Sequence, residues 1–288
     1  MKTTLVTADW LKKHLYDDKI QILEATFFLP TMNRDAYAEF SSSRIPTARF
    51  FDIDGIAVPD STLPHMLPDA KTFASHMNSL GVSSDKQIIV YDRSVFLSSA
   101  RAWWMFRMFG HSNVAVLDGG WQAWQAAGGA VDTRKVVSPA MKDAFTPRPT
   151  ADADVILMQD LRALVESEDA PQILDARATA RFEGHAPEPR AGLRSGHIPH
   201  SLNLPIHEIL DRDTGMLKSK EELRSLFDNA GIEWDKPVVT SCGSGVTAAG
   251  LTLAFAILGK TDIQLFDGSW TEWGGSDAPI ETGPTAQG

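Results

Sequence analysis

The stretch Val238-Val239-Thr240-Ser241-Cys242-Gly243-Ser244-Gly245-Val246-Thr247-Ala248 decides the fold. A short run suited to a buried strand stops at a cysteine, two glycines flank a serine, and an apolar segment continues to Leu258. Strand, tight loop and helix in that order form the joint of an open α/β fold with a parallel sheet, where ligands sit beyond the carboxyl ends of the strands. The loop turns successive backbone N–H groups inward and makes a nest that favours an anion, to which the helix N-terminus adds. Its two glycines are expected to supply positive φ and close backbone approach. Cys242, the only cysteine in the chain, heads this nest.

Self-comparison extends the pattern to the whole chain. Ile22-Leu23-Glu24-Ala25 returns as Ile173-Leu174-Asp175-Ala176, and Ile45-Pro46 as Ile198-Pro199. Ile88-Ile89-Val90-Tyr91-Asp92 returns as Val238-Val239-Thr240-Ser241-Cys242, and Leu117-Asp118-Gly119-Gly120-Trp121 as Phe266-Asp267-Gly268-Ser269-Trp270. The four anchors keep their order at offsets of 149–153 residues, so the chain is a tandem duplication. The halves are expected at 1–138 and 154–288, joined by a linker over 139–153 that contains Pro139, Pro147 and Pro149. In the second half the pattern predicts helices over 155–164, 221–230 and 246–258 and strands over 172–175, 238–241 and 263–266. Asp92 stands opposite Cys242, and Asp92-Arg93-Ser94-Val95 is no glycine cradle, so the first half is expected to be catalytically silent.

Composition bounds the partners. With 288 residues, 43% hydrophobic and 22% charged, the chain can bury a core without disulfides or a structural metal. Its net charge of −10 argues against a nucleic-acid binder. An acidic protein that handles an anionic substrate must therefore use a few local positive groups. The apolar run 250–258 is too short to span a membrane, and no run of signal-peptide length follows Met1, so a cytoplasmic protein is expected. The eight histidines are scattered without ligand spacing, and no metal or other cofactor is expected.

Several readings of Cys242 compete. A lone cysteine after a buried strand also serves as a small core hydrophobe, although a core residue has no need of a glycine cradle. A tyrosine-phosphatase-like loop requires arginine six residues after the cysteine to clamp phosphate, and that position is Ala248.

The tandem halves, Gly196-His197-Ile198-Pro199, the loop from Cys242 to Ala248, and Asp267-Gly268-Ser269-Trp270-Thr271-Glu272-Trp273 together resemble the two-domain rhodanese-type sulfurtransferases over nearly the whole chain. Within the family, neutral Gly243-Ser244 resembles the branch that uses 3-mercaptopyruvate, whereas thiosulfate users carry Arg-Lys at that place. The resemblance implies two tandem α/β domains, each a central parallel sheet flanked by helices. It also implies a double displacement in which Cys242 takes sulfur as a persulfide, pyruvate leaves, and cyanide, a small thiol or thioredoxin accepts the sulfur.

By the same resemblance Arg181 and Arg190 bind substrate with Gly243, Gly245, Val246 and Thr247, and Asp54, His65 and Ser244 form a proton relay, the first two lent by the first half. A planar guanidinium suits the carboxylate and adjacent carbonyl of such a donor. Arg177 and Arg194 fit the family spacing less well and are expected to support the site from behind. His200 and Thr47 stand where the family has glycine after the Ile-Pro turn, and a local backbone adjustment is expected at both. The tryptophan turns and Arg101-Ala102-Trp103-Trp104 are read as packing. Thiosulfate as donor, and a persulfide carrier or partner-binding module with little turnover, remain the alternatives. A monomer is expected.

Overall fold

Ile22, Ile89, Val90, Val116, Ile173, Val238 and Val239 are at most 2% exposed, as expected of strands covered on both faces, where β-branched residues run continuously instead of alternating. In the computed structural model, which describes residues 3–137, 144–148, 154–165, 167 and 170–285, these residues build two parallel sheets. The chain falls into two compact units. The first comprises Met1–Pro59, Leu67–Thr150 and Asp211–Leu217; the second comprises Asp60–Met66, Ala151–Leu210 and Lys218–Gly288. Of the expected linker, 139–143 and 149–153 lie outside the described residues.

The first unit contains β1 (Leu5–Val6), β2 (Ile20–Glu24), β3 (Arg49–Phe50), β4 (Gln87–Tyr91) and β5 (Val114–Leu117) in the order β1-β5-β4-β2-β3. In the second unit β6 (Val155–Ile156), β7 (Gln172–Asp175), β8 (Leu202–Asn203), β9 (Val238–Ser241) and β10 (Ile263–Phe266) repeat it as β6-β10-β9-β7-β8. The strand direction of travel reverses between β4 and β2, and likewise between β9 and β7. Such a switch point opens a crevice at the carboxyl ends of the two strands. Cys242 follows β9 and Ala176-Arg177 follows β7, so the candidate nucleophile and a basic residue flank that crevice.

The expected helix over 155–164 is corrected at its start. Val155 and Ile156 pair with Leu265 and Phe266 as an edge strand, and helix α6 runs over Met158–Val165. A two-residue strand is too short to show a period. The helix expected over 221–230 is α8 (Lys220–Asn229), closed by a capping box between Ser219 and Glu222. Helix α9 (Val246–Leu258) and strands β7, β9 and β10 lie where the pattern put them.

His200 and Thr47 correct another expectation. Their backbones do not adjust: Thr47 has φ 69° and His200 φ 61°, the left-handed region that glycine enters without strain. The turn geometry is retained and the side chains tolerate it; the His200 N–H donates to Glu281 Oε2 at 3.1 Å.

The place of Cys242 in the first unit is filled by an internal anion. Asp92 follows β4, and its Oδ2 accepts from the Ser99 N–H (2.8 Å), Ser98 Oγ (2.9 Å) and Ser94 Oγ (3.2 Å). Arg93, opposite Gly243, folds back to pair with buried Glu24 at 2.7 Å, donates to the Ser43 carbonyl at 2.6 Å, and lies 4.4 Å from the Trp121 ring centroid. A carboxylate already fills the nest, and the place of Gly243 is taken by an arginine that folds back onto Glu24. Burial pushes the Asp92 carboxyl up to about 6, outweighing its three donors. The folded state therefore holds this proton more tightly than the unfolded chain. The associated stability is complete below the ordinary carboxylate range and is lost as pH rises through about 6. Asp92→Asn keeps an oxygen for the donors and removes the titration. Wild type is expected to lose about 2 kcal/mol relative to this variant between pH 4 and pH 6.5 in urea titrations, and parallel pH profiles would refute it.

Candidate functional site

The Cys242 loop is held from below by α10 (Ser269–Gly275). The Cys242 carbonyl accepts from the Trp270 N–H at 2.9 Å, and the Gly243 carbonyl accepts from the Thr271 N–H at 3.0 Å and Thr271 Oγ1 at 2.6 Å. Because a trans peptide points its N–H opposite to its C=O, the Gly243 and Ser244 N–H groups face away from α10. Ser269 Oγ accepts from the Cys242 N–H (3.2 Å) and the Gly245 N–H (3.1 Å), donates to the Phe266 carbonyl (2.8 Å), and lies 4.0 Å from Cys242 Sγ. Ser269 is fully buried with φ 49°, a backbone conformation uncommon outside glycine and retained where the surroundings impose it.

Only one of the two glycines is used as expected. Gly245 has φ 78° and forms the N-terminal boundary of α9. Gly243 is absent from the positive-φ residues; a Cβ built on it would lie 3.2 Å from Arg181 Nη2, a tight contact with the end of a flexible side chain. The site therefore brings the Arg181 guanidinium against the loop that follows Cys242. Cys242 is 1% exposed, Ser244 and Val246 are buried, and Thr247 is half-buried.

Arg181 is carried by α7 (Thr179–Phe182), one helical turn long. The His197 ring stacks on Phe182 at 3.8 Å and 5°, and His197 Nδ1 lies 2.9 Å from the Phe182 carbonyl. Burial holds His197 below its ordinary value, so the neutral ring donates through Nδ1. Behind Arg181 runs a chain of ion pairs. Glu188 Oε2 accepts from Arg181 Nη2 at 2.5 Å and Glu188 Oε1 from Arg177 Nη1 at 2.9 Å; Arg177 Nη2 also meets Asp175 Oδ2 at 2.7 Å. The Arg177 guanidinium lies 4.3 Å from the Trp270 ring centroid and donates to the Gly196 carbonyl. Burial works against its charge, but Asp175 and Glu188 outweigh burial and raise the Arg177 pKa. Arg177 thus joins β7, the Gly196 turn and α10. Arg194 donates to the Trp273, Gly274 and Ala278 carbonyls and closes the end of α10. Arg190 is half-buried in the segment between α7 and β8.

His65 comes from the first half of the sequence, and its segment 60–66 groups with the second compact unit. There His65 Nδ1 lies 3.0 Å from Ser244 Oγ and 3.4 Å from the Ser244 carbonyl. His65 is 4% exposed with φ 61°. Either ring tautomer satisfies this contact, with His65 accepting from the hydroxyl or donating to it. Asp54 belongs to the first unit, where it is exposed and lines a cavity of about 370 Å³ with Thr26, Phe27, Phe50 and Asp52.

Ser269 and Glu188 were not singled out by the sequence reading. Ser269 lies in the quoted motif beside Trp270 and Glu188 stands between Pro187 and Pro189, but a hydroxyl or carboxylate shows its partners only once the chain is folded. Among the described residues no group of three or more His, Cys, Asp or Glu is placed to hold a metal ion, and no helix is long and apolar enough to cross a membrane.

Residues 7–127 and 157–276 each match the family described as Rhodanese-like domain. The chain is 43% identical over 286 residues to the 3-mercaptopyruvate sulfurtransferase of Escherichia coli (strain K12), covering 98% of this chain and 99% of that relative. It is 39% identical over 304 residues to the mitochondrial thiosulfate/3-mercaptopyruvate sulfurtransferase 1 of Arabidopsis thaliana, covering 96% and 78%. The crystal structure of SseA from Escherichia coli superposes with a TM-score of 0.83 at 41% identity, covering 93% of this chain and 99% of that one.

Proposed function

The chain belongs to the rhodanese family of sulfurtransferases in its tandem two-domain form, and from that premise we propose that it moves sulfur from 3-mercaptopyruvate to a thiophilic acceptor through a persulfide on Cys242. The observation that carries this reading is the neutral loop Gly243-Ser244 with Arg181 Nη2 packed against Gly243. Gly243 and Ser244 themselves add no charge beside the Arg181 guanidinium, which suits a donor with a single carboxylate.

In this mechanism the Cys242 thiolate attacks the donor sulfur. An S–S bond forms, the C–S bond breaks, and its electron pair passes to the carbon that becomes the methyl group of pyruvate. The donor thiol proton ends on that carbon, and the His65–Ser244 pair at 3.0 Å is the group suited to move it. Arg181 and Arg190 grip the carboxylate and the adjacent carbonyl oxygen, while Gly243, Gly245, Val246 and Thr247 line the cradle. The inward amides of Gly243 and Ser244 face the negative terminal sulfur of the persulfide, a charge that oriented donors stabilise without reorganisation. Cyanide then takes the outer sulfur as thiocyanate and restores the Cys242 thiolate; a small thiol or reduced thioredoxin takes it in the same way. The proposal includes a monomeric protein in the reducing cytoplasm.

The test supplies 3-mercaptopyruvate or thiosulfate with cyanide and follows thiocyanate and pyruvate together. Equal amounts of both products from mercaptopyruvate support the reading. Stronger kcat/KM with thiosulfate transfers the assignment to that donor, which the Arabidopsis relative's name includes. Turnover with neither donor favours a persulfide carrier. Arg190→Ala is expected to lower kcat/KM for mercaptopyruvate about 100-fold with little change in melting temperature, through loss of a charge-assisted pair. An unchanged kcat/KM removes Arg190 from the site.

A further inference from the structure

We propose that Glu188 is a specificity-determining residue: its buried carboxylate cancels one positive charge beside the Cys242 loop and biases the site toward singly charged sulfur donors over doubly charged ones. The inference rests on the donor reading above and gives it a physical cause beyond the neutral loop.

The Glu188 side chain is 2% exposed and touches both arginines of the site's rear wall. Arg177 is already matched by Asp175 at 2.7 Å, so Glu188 is the counter-charge of Arg181. The same Arg181 Nη2 that bonds Glu188 at 2.5 Å lies 3.2 Å from a Cβ built on Gly243. Glu188 is therefore only one guanidinium width from the cradle. Asp175, Arg177, Glu188 and Arg181 sum to zero formal charge and Gly243 and Ser244 add none, so Arg190 supplies the one net positive charge in the proposed donor site.

An arriving anion meets the donor geometry of Arg181 but only part of its field. Hydrogen bonds from the guanidinium edge serve a monoanion well. A dianion depends more on net charge, because each added unit interacts with the whole cluster. Mercaptopyruvate with its thiol protonated carries one negative charge, and thiosulfate carries two. At an effective dielectric near 20, removing one negative charge this close favours a dianion over a monoanion by about tenfold or more.

Two variants separate charge from shape. Glu188→Gln removes the charge at nearly constant volume, whereas Glu188→Asp keeps the charge and withdraws it by one methylene. With cyanide as acceptor, Glu188→Gln is expected to raise the ratio of kcat/KM for thiosulfate to that for mercaptopyruvate about tenfold, and high salt should shrink the rise. Glu188→Asp should keep the wild-type ratio within about twofold even where both constants fall. An unmoved ratio in folded Glu188→Gln, or an equal rise in Glu188→Asp, overturns the proposal.

Should Glu188→Gln fail to fold by near-ultraviolet dichroism, the wild-type enzyme decides by inhibition with two anions of similar shape. Methanesulfonate, with one charge, should compete with mercaptopyruvate at least as well as sulfate, with two; tighter inhibition by sulfate overturns the proposal. A wild type inert toward mercaptopyruvate defeats the donor reading. A wild type active on it whose ratio does not move defeats this inference alone.

Discussion

Cys242→Ser is expected to abolish sulfur transfer, lowering kcat by at least about four orders of magnitude for either donor. A serine hydroxyl is close in size and fits a site 1% exposed, so folding should be preserved and the loss can be read as chemistry. Serine remains protonated at neutral pH and is a poor nucleophile toward sulfur, and it cannot hold a transferred sulfur in an exchangeable S–S bond. Mass spectrometry gives a second readout. Wild type incubated with donor alone should gain one sulfur atom on the peptide containing Cys242 and lose it on addition of cyanide. Retained turnover in the variant, or sulfur on another residue, would remove Cys242 from the mechanism.

The second large effect concerns stability. Arg177→Ala leaves Asp175 and Glu188, both 2% exposed at the side chain, without their shared cation and takes a guanidinium from the Trp270 face and the Gly196 carbonyl. Breaking a buried ion pair from one side costs about 3–5 kcal/mol, a large part of the stability of an ordinary domain. The variant is expected to show a urea midpoint far below wild type or to be recovered unfolded. Arg181→Ala removes the neighbouring guanidinium, which is 21% exposed, but leaves Glu188 paired with Arg177, so it should cost less stability than Arg177→Ala while impairing turnover. Four residues apart on the chain, one arginine is required for the fold and the other serves the site. Equal stability losses in the two variants would overturn that division.

The two units also show why an identical strand order need not carry the same chemistry. In each, a guanidinium sits over a tryptophan and pairs with the carboxylate that ends the strand beside the central one, Glu24 of β2 and Asp175 of β7. It comes from Arg177, after β7, in the second unit and from Arg93, in the loop after β4, in the first. The first unit thereby has an arginine at the place of Gly243 and fills its nest with Asp92. The lack of a glycine cradle in that half was legible in the sequence. What stands in its place was not, because Arg93 pairs with Glu24 across sixty-nine residues of chain.

The duplication, the α/β class, the strand boundaries of β7, β9 and β10 and the position of Cys242 after β9 follow from the sequence by itself. They depend on local rules: β-branched runs, a glycine break and a repeated order of motifs act through neighbours on the chain. Only the tertiary structure decided that Arg181 packs against Gly243, that Ser269 holds the Cys242 loop, that His65 meets Ser244 within the second unit, and that Glu188 stands behind Arg181. These are contacts between charged or polar groups far apart in sequence. Such a group is satisfied by whichever partner the packed core brings within about 3 Å, and no local pattern encodes that partner.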